Sequence, residues 1–343
     1  MTQTGLQRRI RAPPLHNEVD SAIVRARSPR PPHGRLHFSH HRGHRMPALP
    51  MKPSFRSANP DIRTAASTAI RLIVNADDLG SGPAMDRGIF HAFQKGVVTS
   101  ASLLANGASF AEAAREARIQ GLPVGVHLNL AEGRSLTGEI RGLTTSGGFP
   151  GKAETRRRLA TGSVDFQALR SELIAQVGRL FDAGLRPDHF DTHQHTFLFP
   201  EAARAVLQAA RHFGITAARL PLPVEPATET PEGPLGEELA LYRGLAPAAA
   251  RALQMVGVAT PDGLWGMAWL NRIDEPALAD ILHALTPGTW ELMVHPGGCN
   301  PADPFATRER ETEVVALTSP WIGNLVRQRQ IQLIHFGELV CAS

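Results

Sequence analysis

Cysteine is almost missing from this chain: Cys299 and Cys341 are the two present among 343 residues, far apart in sequence. That excludes a disulfide framework and a cysteine-ligated zinc site. No apolar run approaches the roughly 18 residues of a membrane span, so no integral membrane segment is expected. No strand-like run leads into GxGxxG or into GxxxxGK with Ser or Thr, and the phosphate-cradling loops of nucleotide-binding folds are therefore lacking. A soluble protein of a reducing compartment, the cytoplasm, is the expectation.

Acidic residues are scarce in one stretch. Residues 1–70 carry twelve Lys/Arg against three Asp/Glu, with six of the 15 His and nine of the 27 Pro, whereas the remainder carries 24 basic and 29 acidic residues. The formal charge of +4 thus describes neither part, and the basic balance implies no nucleic-acid partner for the body. The first stretch has no sustained apolar periodicity and no continuous apolar core of a secretory signal, so it reads as a disordered extension without a role of its own. A basic arm for an acidic surface, or an Arg-rich transit-type segment, are its functional alternatives. The body, 71–343, suits one α/β domain.

From residue 71 short apolar runs alternate with longer amphipathic ones. Strands are expected at 71–76, 100–106, 124–130, 189–194, 217–221, 264–269, 290–295 and 331–336. Helices are expected at 83–95, 109–120, 165–184, 200–213, 246–257, 274–285 and 307–317, with apolar residues three and four apart. Sustained alternation implies a parallel sheet, and seven or eight repeats favour a (β/α) barrel of seven to eight strands, distortion included, over an open doubly wound sheet. Two Gly- or Pro-rich regions, 131–164 and 222–245, interrupt the pattern and suit rims or lids over a site.

Acids and histidines gather at the ends of these strands. Asn75-Ala76-Asp77-Asp78 follows Leu72-Ile73-Val74, His127 ends Val124-Gly125-Val126, and Asp191-Thr192-His193-Gln194-His195 and Glu291-Leu292-Met293-Val294-His295 repeat the arrangement. Barrel enzymes collect catalytic groups on that side of the sheet. Asp78, His127 and His193 form a mixed nitrogen and oxygen set suited to zinc, iron, manganese or cobalt. Asp77 and Asp78 would repel if buried together without a cation, which allows one to hold a metal while its neighbour acts as base; a helix cap would explain only one of them. Strand alternation puts Asp191, His193 and His195 on one face, with Asp191 placed to fix a histidine tautomer and His195 to line the pocket. His295, ahead of Pro296-Gly297-Gly298, suits a general acid with an ordinary pKa near 6.5. His91, His212 and His283 read as surface or packing residues, and the charged run 307–313 as a solvated helix face.

The runs RLIVNADDLG, TSASLLANG, VGVHLNL, FDTHQHTFLFP and ELMVHPG, in that order, resemble the YdjC/ChbG/HpnK carbohydrate deacetylases over roughly 71–339. The resemblance implies a (β/α) barrel hydrolase that removes acetyl groups from N-acetylated sugars with a divalent cation, usually magnesium; zinc or another transition metal is the alternative. By position, Asp77 would be the base, Asp78, His127 and His193 the metal ligands, and His295 the group near the leaving amine. Asn75, Asp191 and His195 would bind substrate or support the ligands. Many members read Asp-Ser-His-His-His where this chain has Gln194 in the middle position. The expected partner is a small N-acetylated sugar, a chitooligosaccharide or another N-acetylhexosaminyl conjugate, and edge loops of such barrels offer a homodimer contact. Competing readings are another barrel metal hydrolase (amidohydrolase or phosphoesterase), an iron oxygenase, and a carbohydrate-binding barrel with a degenerate site. His-x-His on the fourth strand rather than the first speaks against an amidohydrolase, and strand–helix alternation against the oxygenase.

Overall fold

The structure is a computed structural model describing residues 68–226, 231–301 and 305–340. The basic stretch 1–70, except for its last three residues, lies outside the described residues, as do 227–230 of the second interrupted region.

Among the described residues seven strands carry the fold: β1 (Ile70–Leu79), β2 (Ser100–Leu104), β3 (Val124–Leu128), β4 (Phe190–Thr192), β5 (Gly263–Trp265), β6 (Gly288–Val294) and β7 (Ile331–Ile334). Every ladder between them is parallel, in the order β4-β3-β2-β1-β6-β5. β7 lies beside the first half of β1, at Ile70–Ile73, and β2 beside its second half. All residues of β2 and β3 are buried, as are the last eight of β1. Burial on both faces is what continuous apolar strands under helices require.

The expected barrel of seven to eight strands needs correction. What forms is a curled parallel sheet, a half-barrel of six strands in one path. Where a strand was expected at 217–221, isolated bridges join Phe190 to Ala218 and Pro223 to Leu264, spanning the space between β4 and β5. The physical reason is local: Pro221 and Pro223 have no N–H to donate, so no continuous ladder can run there.

Helices cover the sheet: α1 (Pro83–Lys95), α2 (Phe110–Gln120), α3 (Lys152–Thr161), α4 (Phe166–Asp182), α5 (Pro200–Phe213), α6 (Pro234–Met255), α7 (Glu275–Ala284), α8 (Arg308–Leu317), α9 (Pro320–Gln328) and the short α10 (Gly337–Val340). Prolines in the first turn start α1, α5, α6 and α9. Asp165 caps α4 through the N–H groups of Gln167 and Ala168, and Asp274 caps α7 through that of Ala277. Both interrupted regions hold helical residues that the sequence pattern did not place there: α3 in the first and the opening of α6 in the second. In the second, α6 begins twelve residues before the expected 246, because Leu239, Tyr242, Ala246, Ala249 and Leu253 keep one buried face through Pro247. Among the described residues no helix is long and apolar enough to cross a membrane.

Two glycines set close approaches behind the site. A Cβ on Gly88 of α1 would stand 2.4 Å from the Gly297 backbone, so the helix packs directly on the turn after His295. A Cβ on Gly125 would lie 2.3 Å from the His189 ring, which is itself stacked on Phe336 at 3.8 Å.

Candidate active site

The C-terminal ends of β1, β3, β4 and β6 open into a pocket of about 330 Å³. Asp77, Asp78, His127, His193, His195 and His295 line it together, so the structure gathers the strand-end groups that the sequence singled out.

Two adjacent carboxylates can both turn inward because β1 is irregular there. Successive side chains of a regular strand point to opposite faces. Here the β1–β2 register shifts between Ala76 and Leu79, and Asp78 is left-handed at φ 65°. A similar departure follows β4. The expected strand to 194 stops at Thr192, and His193–Leu198 form a 3-10 turn with Gln194 and His195 left-handed. His193 therefore reaches the pocket from a turn, which corrects the expectation that strand alternation aligns it with Asp191 and His195. Backbone strain of this kind concentrates at functional sites.

Asp78, His127 and His193 converge on one point. Asp78 Oδ1 lies 3.4 Å from His127 Nε2 and 3.0 Å from His193 Nδ1, and the two ring nitrogens are 3.2 Å apart. His127 Nδ1 faces Asp191 Oδ1 at 2.8 Å, which assigns its proton to that nitrogen and leaves Nε2 as a lone pair. His193 Nε2 stands 3.5 Å from both Glu132 and the Gln194 amide nitrogen, and its Nδ1 is turned toward Asp78 and His127. With that Nδ1 as a lone pair three acceptors face one another, and among the described residues no hydrogen bond satisfies Asp78 Oδ1. Ligands about 2.0–2.1 Å from a shared ion would stand roughly 3.0–3.4 Å apart, so these residues fit a divalent cation.

The electrostatics agree. Burial alone would raise the Asp78 carboxyl, but the His193 and His127 rings beside it hold it well below the usual range. Burial disfavours charge on His127, yet Asp191, Asp78 and Asp77 push its ring up to about 10; Asp78 and Glu132 push buried His193 up to about 9. A field that holds extra protons on these rings equally attracts a metal ion.

Asp77 sits in a different environment. Arg219 Nη1 and Nη2 donate to its two oxygens at 2.7 and 2.6 Å, and the Asn75 amide donates to Oδ1 at 2.9 Å. Burial opposes its charge, but Arg219 keeps the carboxyl well below the ordinary range. Arg219 also donates to Glu291 at 2.8 Å and lies 2.7 Å from Asp191. Asp77, His127 and Asp191 come close enough to suggest a second ion site, but Arg219 supplies the cation between these two carboxylates. Burial raises Glu291 to about 7, against the pull of Arg219.

His195 is buried, edge-on to Tyr242 at 5.1 Å, with no partner for Nδ1 among the described residues. Burial and then Arg219 hold it neutral. His295 is fixed through its backbone: its N–H donates to Glu313 at 2.6 Å, and its carbonyl accepts from Arg310 at 3.4 Å. Its Nε2 is 4.0 Å from Asp78 Oδ2, and burial lowers the ring from the expected 6.5 to about 4. The solvated face expected at 307–313 is corrected here, because Arg310 and Glu313 are buried, three residues apart on the inner side of α8.

Arg219, Glu291, Glu132 and the Arg310–Glu313 pair were not picked out as site residues in the sequence. A single charge inside an apolar run, as in Ala217-Ala218-Arg219-Leu220 or Trp290-Glu291-Leu292, was the available signal. Such a charge is rarely buried unless paired. At the pocket mouth, Lys152 of α3 and Glu238 of α6 form an ion pair at 2.6 Å, and Arg156 joins Glu238 at 2.8 Å.

Residues 71–328 match the family model described as YdjC-like protein. A carbohydrate deacetylase of Homo sapiens is 35% identical over 295 residues, covering 79% of this chain and 91% of that protein. A chitooligosaccharide deacetylase of Yersinia pestis is 31% identical, covering 77% and 97%. A crystal structure from Enterococcus faecalis V583, of a candidate cellobiose-phosphate cleavage protein, superposes with a TM-score of 0.63 at 24% identity, covering 79% and 99%, and supports the fold.

Proposed function

The chain belongs to the YdjC-like protein family, and from that premise we propose that it is a cation-dependent carbohydrate deacetylase, releasing acetate and an amino sugar from an N-acetylated sugar. The observation that carries the reading is the meeting of Asp78 Oδ1, His127 Nε2 and His193 Nδ1 within 3.0–3.4 Å of one another, in the pocket that also holds Asp77 and His295.

Asp78, His127 and His193 would hold the ion. When bound, a divalent cation supplies Lewis-acid polarisation of the acetamide and charge that offsets a developing oxyanion. Two imidazoles and one carboxylate are softer than the all-oxygen sets magnesium prefers, so the donor chemistry favours zinc or another transition metal over the magnesium implied by resemblance.

Asp77 takes the proton of the attacking water. Arg219 and Asn75 together claim three of its four lone pairs, which leaves one on Oδ2 for that purpose. The guanidinium keeps the carboxyl ionised and makes it a weak holder of the proton it receives. Burial keeps His295 neutral at the start, so it can accept a proton and deliver one to the departing amine. Neutral His195 can accept or donate one hydrogen bond to the bound sugar, and Lys152 and Glu238 at the mouth can meet its hydroxyl groups.

The test is an acetate-release screen across N-acetylated sugars with purified protein, stripped of metal and reloaded ion by ion. Release that disappears on stripping and returns with one divalent ion is expected. Ion-independent release, or binding of the ion undiminished in Asp78→Ala, would refute the reading.

A further inference from the structure

Beneath the pocket, a chain of polar side chains crosses the inside of the curled sheet where aliphatic residues usually fill such interiors. The Asn75 amide donates to Asp77 Oδ1 at 2.9 Å and to Ser102 Oγ at 2.8 Å, and its Oδ1 accepts from Ser100 Oγ at 2.7 Å. Ser102 Oγ meets His189 Nε2 at 3.3 Å, and His189 Nδ1 meets Asp188 Oδ1 at 2.7 Å. Asp188 Oδ2 in turn meets His335 Nδ1 at 2.8 Å and accepts from the Gly337 N–H at 3.1 Å, at the end of the sheet away from the pocket.

Each hydrogen in this chain has one consistent place. Both amide hydrogens of Asn75 are spent on Asp77 and Ser102. Ser102 therefore gives its own hydrogen to His189 Nε2, and His189 gives the one on Nδ1 to Asp188. Reversing the Asn75 amide would aim its oxygen at the Asp77 carboxylate and replace that hydrogen bond with repulsion. Asn75, Ser100, Ser102 and His189 are fully buried, and each has its partners. Gly125 leaves room for the His189 ring and Phe336 stacks on it, so the ring is held from two sides. A buried polar chain is less forgiving than an apolar core, and stability alone gives no reason to build one.

We propose that Ser102 and His189, anchored on Asp188, are positioning residues that fix the facing of the Asn75 amide and, through it, the orientation of the Asp77 carboxylate. They keep Asn75 on Oδ1, and so reserve Oδ2 for the proton of the attacking water. The inference deepens the deacetylase reading and rests on it for kinetics, but not for the position of the amide.

Ser102→Ala, His189→Leu and His189→Gln separate positioning from bulk stability, since the Gln amide oxygen can replace Nε2 as acceptor. On an N-acetylated sugar that the parent protein hydrolyses, His189→Leu and Ser102→Ala should lose about tenfold in kcat, the scale of one buried hydrogen bond, with KM and ion affinity nearly unchanged. His189→Gln should recover most of that loss. In 15N-labelled, ion-loaded protein, the Asn75 side-chain amide should be rigid in the parent and His189→Gln, and its order parameter should fall below about 0.6 in His189→Leu and Ser102→Ala. An amide as rigid in those two variants as in the parent overturns the proposal. So does a kcat that follows melting temperature alike in the Leu and Gln variants. If the parent hydrolyses no N-acetylated sugar, the deacetylase reading fails, and the amide measurement still decides the positioning.

Discussion

Replacing Arg219 by Met would remove the cation shared by three buried carboxylates, Asp77, Asp191 and Glu291, all within 2.6–2.8 Å of its nitrogens. Taking one partner out of a buried ionic cluster destabilises by about 3–5 kcal/mol, because charge is left without compensation. At about 2–4 °C per kcal/mol for a domain of this size, the melting temperature should fall by roughly 6–20 °C near neutral pH. The pH dependence gives a sharper test. In the parent, Asp77 lies below its unfolded-state value, so its contribution is present above that value and fades as acid protonates it. In the variant, Asp77 without its partner lies above the unfolded value of about 3.9, and Glu291, already raised to about 7 in the parent, rises further. The folded variant then binds more protons than the unfolded chain and gains stability as pH falls. The gap between the two proteins must therefore narrow on going from about pH 8 to about pH 5. Calorimetric melts of ion-loaded parent and variant measure it directly. A gap under about 2 °C at the upper pH, or one that widens with acid, would refute the reasoning. Arg219→Lys should fall between, keeping the charge without the two-pronged contact.

Asp77→Asn should keep its ion by calorimetric titration and lose at least about a hundredfold in turnover, while His127→Ala should lose at least about tenfold in ion affinity. Equal loss of ion in both variants would contradict the division of roles. Burial raises Glu313 to about 7, so the folded state holds a proton that the unfolded chain releases near 4.5, and stability should decline as pH rises across that window. Denaturant titrations of Glu313→Gln should show that decline reduced, with Glu291 supplying what remains; an undiminished slope would assign it elsewhere. Lys152→Ala opens the pair that links α3 to α6 over the mouth and should raise KM several-fold with kcat little changed. A fall in kcat at constant KM would place Lys152 at the reacting atoms.

Much of this was legible because local signals and tertiary demands agreed. The helices expected at 83–95 and 200–213 begin and end where the structure has them, with a proline in each first turn, and strand-end acids and histidines announced one end of one sheet. Other features depend on distant partners and leave only a faint local trace. Arg219 shows in the sequence as one charge in an apolar run, and its role comes from the carboxylates that β1, β4 and β6 bring around it. Arg310 and Glu313 sit in a charged run whose pattern cannot tell an inward ion pair from a wet face. The left-handed turn at Gln194 and His195 defeated a strand reading, since non-glycine residues are uncommon there. Prolines misled in both directions: Pro247 hid a continuous helix, whereas Pro221 and Pro223 ended a ladder that hydropathy alone would have continued.

The fit between Gly125 and the His189 ring couples two positions 64 residues apart in sequence, where one side chain fills the volume the other gives up. A methyl group at 125 has room only if the ring at 189 is replaced by something smaller, so Gly125→Ala should be harmful alone and eased by His189→Asn. The two sites trade volume as a unit, and homologous chains are expected to change them together.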